Sequence, residues 1–340
     1  MKALQITESG KSKLTEINKP TCKANEVLLQ LKYVGFCGSD LSTFQGRNPM
    51  VSYPRIPGHE LSGTIIEIGS NIKKDLKIGQ IATVVPYTNC GKCKSCQRSR
   101  QHACQNNQTL GVQREGAMTQ YLAIPAEKVI LAEGLNLEEL AIVEPLTVGF
   151  HAVARARTEA QDTVLVFGCG MIGLGAIGGA LSRNATVIAV DVADEKLEVA
   201  KRIGAHHTIN SMTSDLIEEV NIITNNYGAD VVIEAVGHPM TYRSAIDVVS
   251  FVGRVACIGY AKDDVAFTTK YFVQKELDIV GSRNATAEDF ENVVTYLQQN
   301  RDFPLKDVIT KKVPLDNAPE ELATWSKAPG VVTKLLVDVD

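Results

Sequence analysis

Short runs of apolar residues, alternating irregularly with polar ones, fill the first third of the chain at Val27–Tyr33, Gly63–Ile68 and Gln80–Val85. Runs of this length predict strands, and Pro20, Pro54, Pro57, Pro86 and Pro125 punctuate them as turns. Past residue 150 the rhythm changes. Thr163–Phe167 predicts a strand, Met171–Ser182 a helix, Thr186–Val190 a strand and Glu195–Ile203 a helix with Gly204 just beyond its end. Asp230–Ala235, Arg254–Gly259 and Leu277–Gly281 predict further strands, the first two preceded by helical patterns at Thr213–Asn225 and Met240–Phe251. The tail adds a helix at Ala287–Gln299 and a strand near Val331–Val339. Strand–helix alternation builds a parallel sheet covered on both faces, so the expected class is α/β with a β-rich partner domain.

Length and composition narrow this. At 340 residues the chain predicts two domains or one large one, and 44% hydrophobic residues suffice for a sizeable core. A net charge of −4 without a long basic run argues against nucleic-acid binding. Thr163–Ser182 carries no charge, but its six glycines favour strand, turn and helix over a membrane span. Met1–Gly10 lacks the apolar core of a secretory signal, so the expectation is a cytoplasmic protein with reduced thiols.

Gly168-Cys169-Gly170-Met171-Ile172-Gly173 lies between a predicted strand and a predicted helix. There Gly168 permits a tight turn, Gly170 lets the backbone approach a pyrophosphate and Gly173 lets helix pack on strand. The helix N-terminus offers free N–H groups to the phosphates. Asp191 ends the next strand; a carboxylate there accepts from ribose hydroxyls and repels a 2′-phosphate, which favours NAD over NADP.

Cys90, Cys93, Cys96 and Cys104 follow the spacing C-x2-C-x2-C-x7-C. Four thiolates so close suit a closed, structural zinc site. Bacterial ferredoxin runs instead place their fourth cysteine after three residues and before proline, whereas here seven residues intervene and Gln105 follows. Disulfides are disfavoured in a reducing compartment. Cys37, in a glycine-flanked turn after an apolar strand, and the pair His59-Glu60 form a ligand set with one position open for substrate or water. Glu144, before the nucleotide-binding pattern, is a further candidate acid at a junction where a cleft would form.

Gly58-His59-Glu60-x2-Gly63-x5-Gly69-x2-Ile72 resembles the signature of the zinc-containing alcohol dehydrogenases, the medium-chain dehydrogenase/reductase family. The run Glu144–His151 is similar to the polyol (sorbitol) dehydrogenase branch, and Gly281–Thr286 resembles sugar-acid members such as L-galactonate 5-dehydrogenase. The resemblance implies a GroES-like β-barrel catalytic domain (1–150 and 284–340, zinc lobe near 88–106) around a Rossmann domain (151–283). It implies one catalytic and one structural Zn2+, NAD, and a polyol, sugar or sugar-acid substrate. Cys37 and His59 match constant zinc ligands, with Glu60 or Glu144 completing the set, and Ser39 matches the hydroxyl that starts a proton relay. Lys196 matches a ribose contact; Val236, Ile258 and Gly259 match strand ends lining the nicotinamide. Ser282 falls among the cofactor contacts, and Arg283 matches an arginine near nicotinamide and substrate. The relay's usual outer histidine is replaced by Ser42. A homo-oligomer, dimer or tetramer, is expected. Oxidation of an amino-acid alcohol, as in L-threonine 3-dehydrogenases, and a non-catalytic NAD-binding regulator remain alternatives.

Overall fold

In the computed structural model, which describes residues 1–340, the short apolar runs become strands. They are β1 (Lys2–Glu8), β2 (Lys11–Glu16), β3 (Glu26–Phe36), β4 (Glu60–Ile68), β5 (Ile81–Val84), β6 (Tyr121–Pro125), β7 (Val129–Leu131), β8 (Thr163–Phe167), β9 (Thr186–Asp191), β10 (His207–Asn210), β11 (Ala229–Glu234), β12 (Val249–Cys257), β13 (Asp278–Gly281), β14 (Ile309–Pro314) and β15 (Lys334–Asp338). The chain divides into two compact units, Met1–Glu144 with Leu305–Asp340, and Pro145–Pro304.

The first unit is built on a sheet in the order β14-β15-β3-β4-β5-β7, with β6 also paired to β3. The C-terminal strand β15 therefore pairs antiparallel with β3, near the start of the chain. Gly35 on β3 lies opposite Leu336 on one side and Glu60 on the other. Leu29, Leu31, Val34, Leu61, Ile65, Val84, Leu335 and Val337 form the core with scarcely any exposure. Burying each such side chain contributes about 1.5–3 kcal/mol, which is how the two ends of the chain hold one sheet. Trp325 stacks obliquely on Phe36, centroids 6.3 Å apart.

The second unit carries six parallel strands in the order β10-β9-β8-β11-β12-β13. Strand order reverses between β8 and β11, the switch point where doubly wound sheets bind their ligands. No helix is long and apolar enough to cross a membrane; the charge-free stretch resolves into β8, a turn and the helix Met171–Leu181. That helix crosses Val143–Arg155 with backbones nearly touching, since a Cβ on Gly149 would lie 2.1 Å from the Ala176 nitrogen and one on Gly175 2.3 Å from the Leu146 oxygen.

Two helices are shorter than their apolar periodicity. Leu216–Ile223 begins where Asp215 accepts from the Ile217 and Glu218 amides. Pro239–Val248 stops because Val249 pairs with Ala229, so strand pairing overrides helical period and β12 starts five residues earlier than Arg254. The units also divide at 144/145 and 304/305, where the sequence suggests 150/151 and 283/284. Side-chain packing accounts for this. Tyr296 meets Phe150 edge-on at 5.6 Å, and Asp289 Oδ2 lies 2.9 Å from His151 Nδ1. Those contacts tie Ala287–Gln299 to the stretch from Pro145, and both rest on the helix Met171–Leu181, where a Cβ on Gly178 would lie 3.1 Å from the Tyr296 ring and one on Gly179 3.2 Å from the Phe150 ring.

Candidate active site and metal centres

Cys37 leaves β3 and caps the helix Gly38–Phe44. Asp40, in the first turn of that helix and 1% exposed, accepts from the Cys37 amide at 2.9 Å and the Gly58 amide at 3.3 Å. One buried carboxylate thus ties the turn bearing Cys37 to the turn before His59. Glu60 opens β4 beside Gly35. Together these constraints bring the Cys37 sulfur, a His59 nitrogen and a Glu60 oxygen within 4.8 Å of one another.

The site is strongly electronegative. Burial alone would lower the His59 imidazole, but Cys37, Glu144 and Asp40 together raise it well above its ordinary value. The same field favours a divalent cation. His59 Nδ1 is buried without a hydrogen-bond partner, and the imidazole also contacts the Cys37 sulfur, so a ring nitrogen is at hand for a metal beside that thiol. Sulfur, nitrogen and carboxylate oxygen suit Zn2+ and leave a fourth position open. The residues therefore fit a catalytic zinc.

Glu144 stands outside that close set. Its Oε1 accepts from the Tyr87 hydroxyl at 2.5 Å, both side chains being buried. Burial raises the Glu144 carboxyl and Glu60 pushes it the same way, with His59, Tyr87 and Lys334 opposing. Burial, then Glu144, push the Tyr87 hydroxyl well above its ordinary value. Glu60 in turn is paired with Lys334 of β15, both side chains at most 3% exposed. Ser39, on the Cys37 helix, has a buried Oγ without a protein partner.

In the lobe, the four sulfurs of Cys90, Cys93, Cys96 and Cys104 lie within 4.8 Å of one another. The pairs Cys93–Cys96 and Cys93–Cys104 are 3.4 and 3.8 Å apart, thiol contacts and not disulfides. Ser95, followed by the Cys96 and Gln105 amides, lowers the Cys93 thiol to about 5. The Lys92 and Cys93 amides, with Asn106, lower Cys90, while burial raises Cys96 to about 11. Nearby donors thus favour the thiolate at Cys90 and Cys93, and the four residues fit a closed zinc site with cysteine ligands.

The glycine motif of the second unit turns sharply after β8. Gly168 has φ +88°, and a Cβ on Gly173 would lie 1.7 Å from the Gly168 oxygen, so no other residue fits there. Gly170 caps the helix Met171–Leu181, whose first turn includes Met171 and Ile172. Asp191 accepts from the Cys169, Val192 and Ala193 amides at 2.7, 2.7 and 3.1 Å. A carboxylate offers about four acceptor sites, so capacity for a ribose hydroxyl remains. Lys196 stands half-buried on the next helix. Val236 follows β11 at the switch point, its Cγ2 2.8 Å from where a Gly168 Cβ would be. Ile258 and Gly259 follow β12; Ser282 and the exposed Arg283 follow β13.

Sequence reasoning assigned no role to Asp40, Tyr87 or Lys334. Asp40 lies three residues past Cys37, just beyond its glycine-flanked turn. Tyr87 and Lys334 gave one weak signal each, a tyrosine three residues before the lobe and a lysine opening an apolar strand.

Comparisons with known proteins agree with this geometry. Residues 23–134 match the alcohol dehydrogenase GroES-like domain, and residues 172–299 match the zinc-binding dehydrogenase family. The chain is 35% identical over 270 residues to an L-galactonate-5-dehydrogenase of Escherichia coli K12, covering 79% of each chain. It is 35% identical over 288 residues to a sorbitol dehydrogenase of Bacillus subtilis, covering 83% of this chain and 81% of that one. A crystal structure of an alcohol dehydrogenase from E. coli CFT073, complexed with NADH, superposes with a TM-score of 0.89 at 27% identity over 99% of both chains. With the donor sets, the parallel sheet and these matches in agreement, the chain belongs to the zinc-type alcohol dehydrogenases of the medium-chain dehydrogenase/reductase family.

Proposed function

We propose that this enzyme transfers hydride between NAD and a secondary alcohol of a polyol, sugar or sugar acid. The observation that carries the reading is the convergence of Cys37, His59 and Glu60 beside a second buried acid, Glu144. Cys37, His59 and Glu60 would hold the catalytic zinc, which when bound supplies Lewis acidity that lowers the pKa of an adjacent hydroxyl. The Gly168–Gly173 turn would hold NAD, the hydride acceptor, with Lys196, Val236, Ile258, Gly259, Ser282 and Arg283 as further contacts.

The chain's own residues divide the remaining work. Asp40 fixes the two turns that carry the ligands. The buried, unpartnered Ser39 Oγ supports its role as first acceptor of the substrate's proton, handing it towards solvent. Glu144, held by Tyr87, keeps the site negative without crowding the close donor set. Asp191, at the end of β9, supports NAD over NADP. The four-cysteine lobe would hold the structural zinc, and such a thiolate cluster supports a reducing, cytoplasmic setting. Catalysis belongs to the unit Met1–Glu144 with Leu305–Asp340, and nucleotide binding to Pro145–Pro304. Exposed Phe251, Val252 and Ile279 beside edge strand β13 support a homo-oligomer formed through the nucleotide-binding unit.

Reduction of NAD and NADP, followed by absorbance, across polyols, sugars, sugar acids and threonine tests the reading. Turnover confined to hydroxyl-rich carbohydrates with NAD is expected. Turnover of threonine alone, or none on any compound, would overturn it.

A further inference from the structure

Lys334 and Glu60 meet across an intervening strand. In the order β15-β3-β4, Lys334 opens β15 and Glu60 opens β4, so β3 lies between them. Side chains on strands flanking a third are ordinarily kept apart by that strand's own side chain. Here the residue beneath is Gly35. A Cβ on it would lie 2.3 Å from Glu60 Oε2 and 3.3 Å from Lys334 Cδ. The missing side chain is the channel through which the pair forms. Lys334 Nζ donates to Glu60 Oε2 and, at 3.0 Å, to the Phe36 carbonyl, one residue before Cys37. An ammonium so buried is costly unless its partners are fixed, and both partners here are.

We propose that Lys334 is a positioning residue for the catalytic metal site. It claims one oxygen of Glu60 and leaves only the other to the Cys37–His59 donor set. A free carboxylate can ligate through both oxygens; one held by Lys334 contributes a single ligand, and a position stays open for substrate. The proposal rests on the metal site proposed above.

Lys334→Met and Lys334→Arg test it with opposite expectations. Methionine frees both Glu60 oxygens. The planar fork of arginine engages both and withdraws the carboxylate. The probe is Co2+ loaded into the full-length protein, with the spectrum of Cys37→Ser subtracted to isolate the catalytic position. Tetrahedral Co2+ absorbs strongly in the visible, and a fifth ligand weakens that absorption. Lys334→Met should show the weaker spectrum and a kcat about 10-fold lower. Lys334→Arg should keep four-coordinate intensity but lose cobalt to a chelator about 10-fold faster. In a Glu60→Gln background the Lys334→Met change in spectrum should disappear, which a merely structural lysine would not produce.

Spectra and release rates matching the wild type in both variants would overturn the proposal, as would a spectral change that persists with Glu60→Gln. Lys334→Arg keeps the buried charge paired, so it decides the matter alone should Lys334→Met not fold. Failure of the underlying site is separate: Cys37→Ser would then bind as much cobalt as the wild type, and the difference spectrum would be empty before any Lys334 variant was made.

Discussion

The Tyr87 hydroxyl lies 2.5 Å from Glu144 Oε1, joining the segment that leads into the zinc lobe to the end of the first unit's N-terminal stretch. Both groups are buried. A hydrogen bond from a neutral hydroxyl to a carboxylate is stronger than one between neutral groups, about 1.5–3 kcal/mol. Its partner is the acid that the close donor set leaves out.

Tyr87→Phe should therefore release Glu144 towards His59 while preserving ring packing. Turnover is expected to fall about 10-fold, equivalent to ~1.4 kcal/mol in the barrier, with NAD affinity unchanged. Steady-state kinetics with coenzyme titration distinguish this from general destabilisation, which would lower both.

Cys104→Ser should empty the lobe and leave the catalytic site loaded. Cys104 is fully buried, and Lys92, Lys94, Arg98 and Arg100 around it are exposed. Zinc binding by such lobes is itself folding free energy. Limited trypsin digestion should then cut between residues 88 and 106 in the variant but not in the wild type, while metal content falls by one ion per chain. Resistance equal to the wild type would remove the structural role of that metal.

Asp289 gives a pH-dependent term in the second unit. Burial alone would raise its carboxyl, but His151, the Thr286 hydroxyl and the Thr286 amide outweigh burial and hold it below the ordinary 3.8. A depressed carboxyl favours the fold above the unfolded-state pKa, and that contribution is lost as pH falls through the folded value. Asp289→Asn should thus cost about 1–3 kcal/mol near neutral pH. The difference from the wild type should shrink towards zero as the pH falls below 3.8, measured by urea unfolding at several pH values. A difference independent of pH would mean that packing, not charge, sets the contribution of Asp289.

Much of this organisation is legible in the sequence because it is local. The turn Gly168–Gly173, the acid at Asp191 and the spacing of Cys90, Cys93, Cys96 and Cys104 each lie within one supersecondary unit, where a fixed spacing dictates geometry. Cys37, His59 and Glu60 stand close enough in the chain for β3, a turn and β4 to bring them together. What sequence reading misses is set by register between distant strands. Lys334 is 274 residues from Glu60, and only the pairing of β15 with β3 brings its side chain over Gly35 to reach the acid. Tyr87 meets Glu144 across 57 residues with no motif linking them. Helix ends at Val248 and Ile223 also lay beyond periodicity, since strand pairing and local capping decided them.

Metal content tests the account most directly. Zinc per chain, measured by atomic absorption on freshly purified wild type and Cys37→Ser and set beside NAD reduction by the same samples, separates the two metal centres. Two zinc ions in the wild type, one in the variant, and activity only in the wild type is the expected result. Equal zinc in both proteins, or full activity in Cys37→Ser, would contradict it.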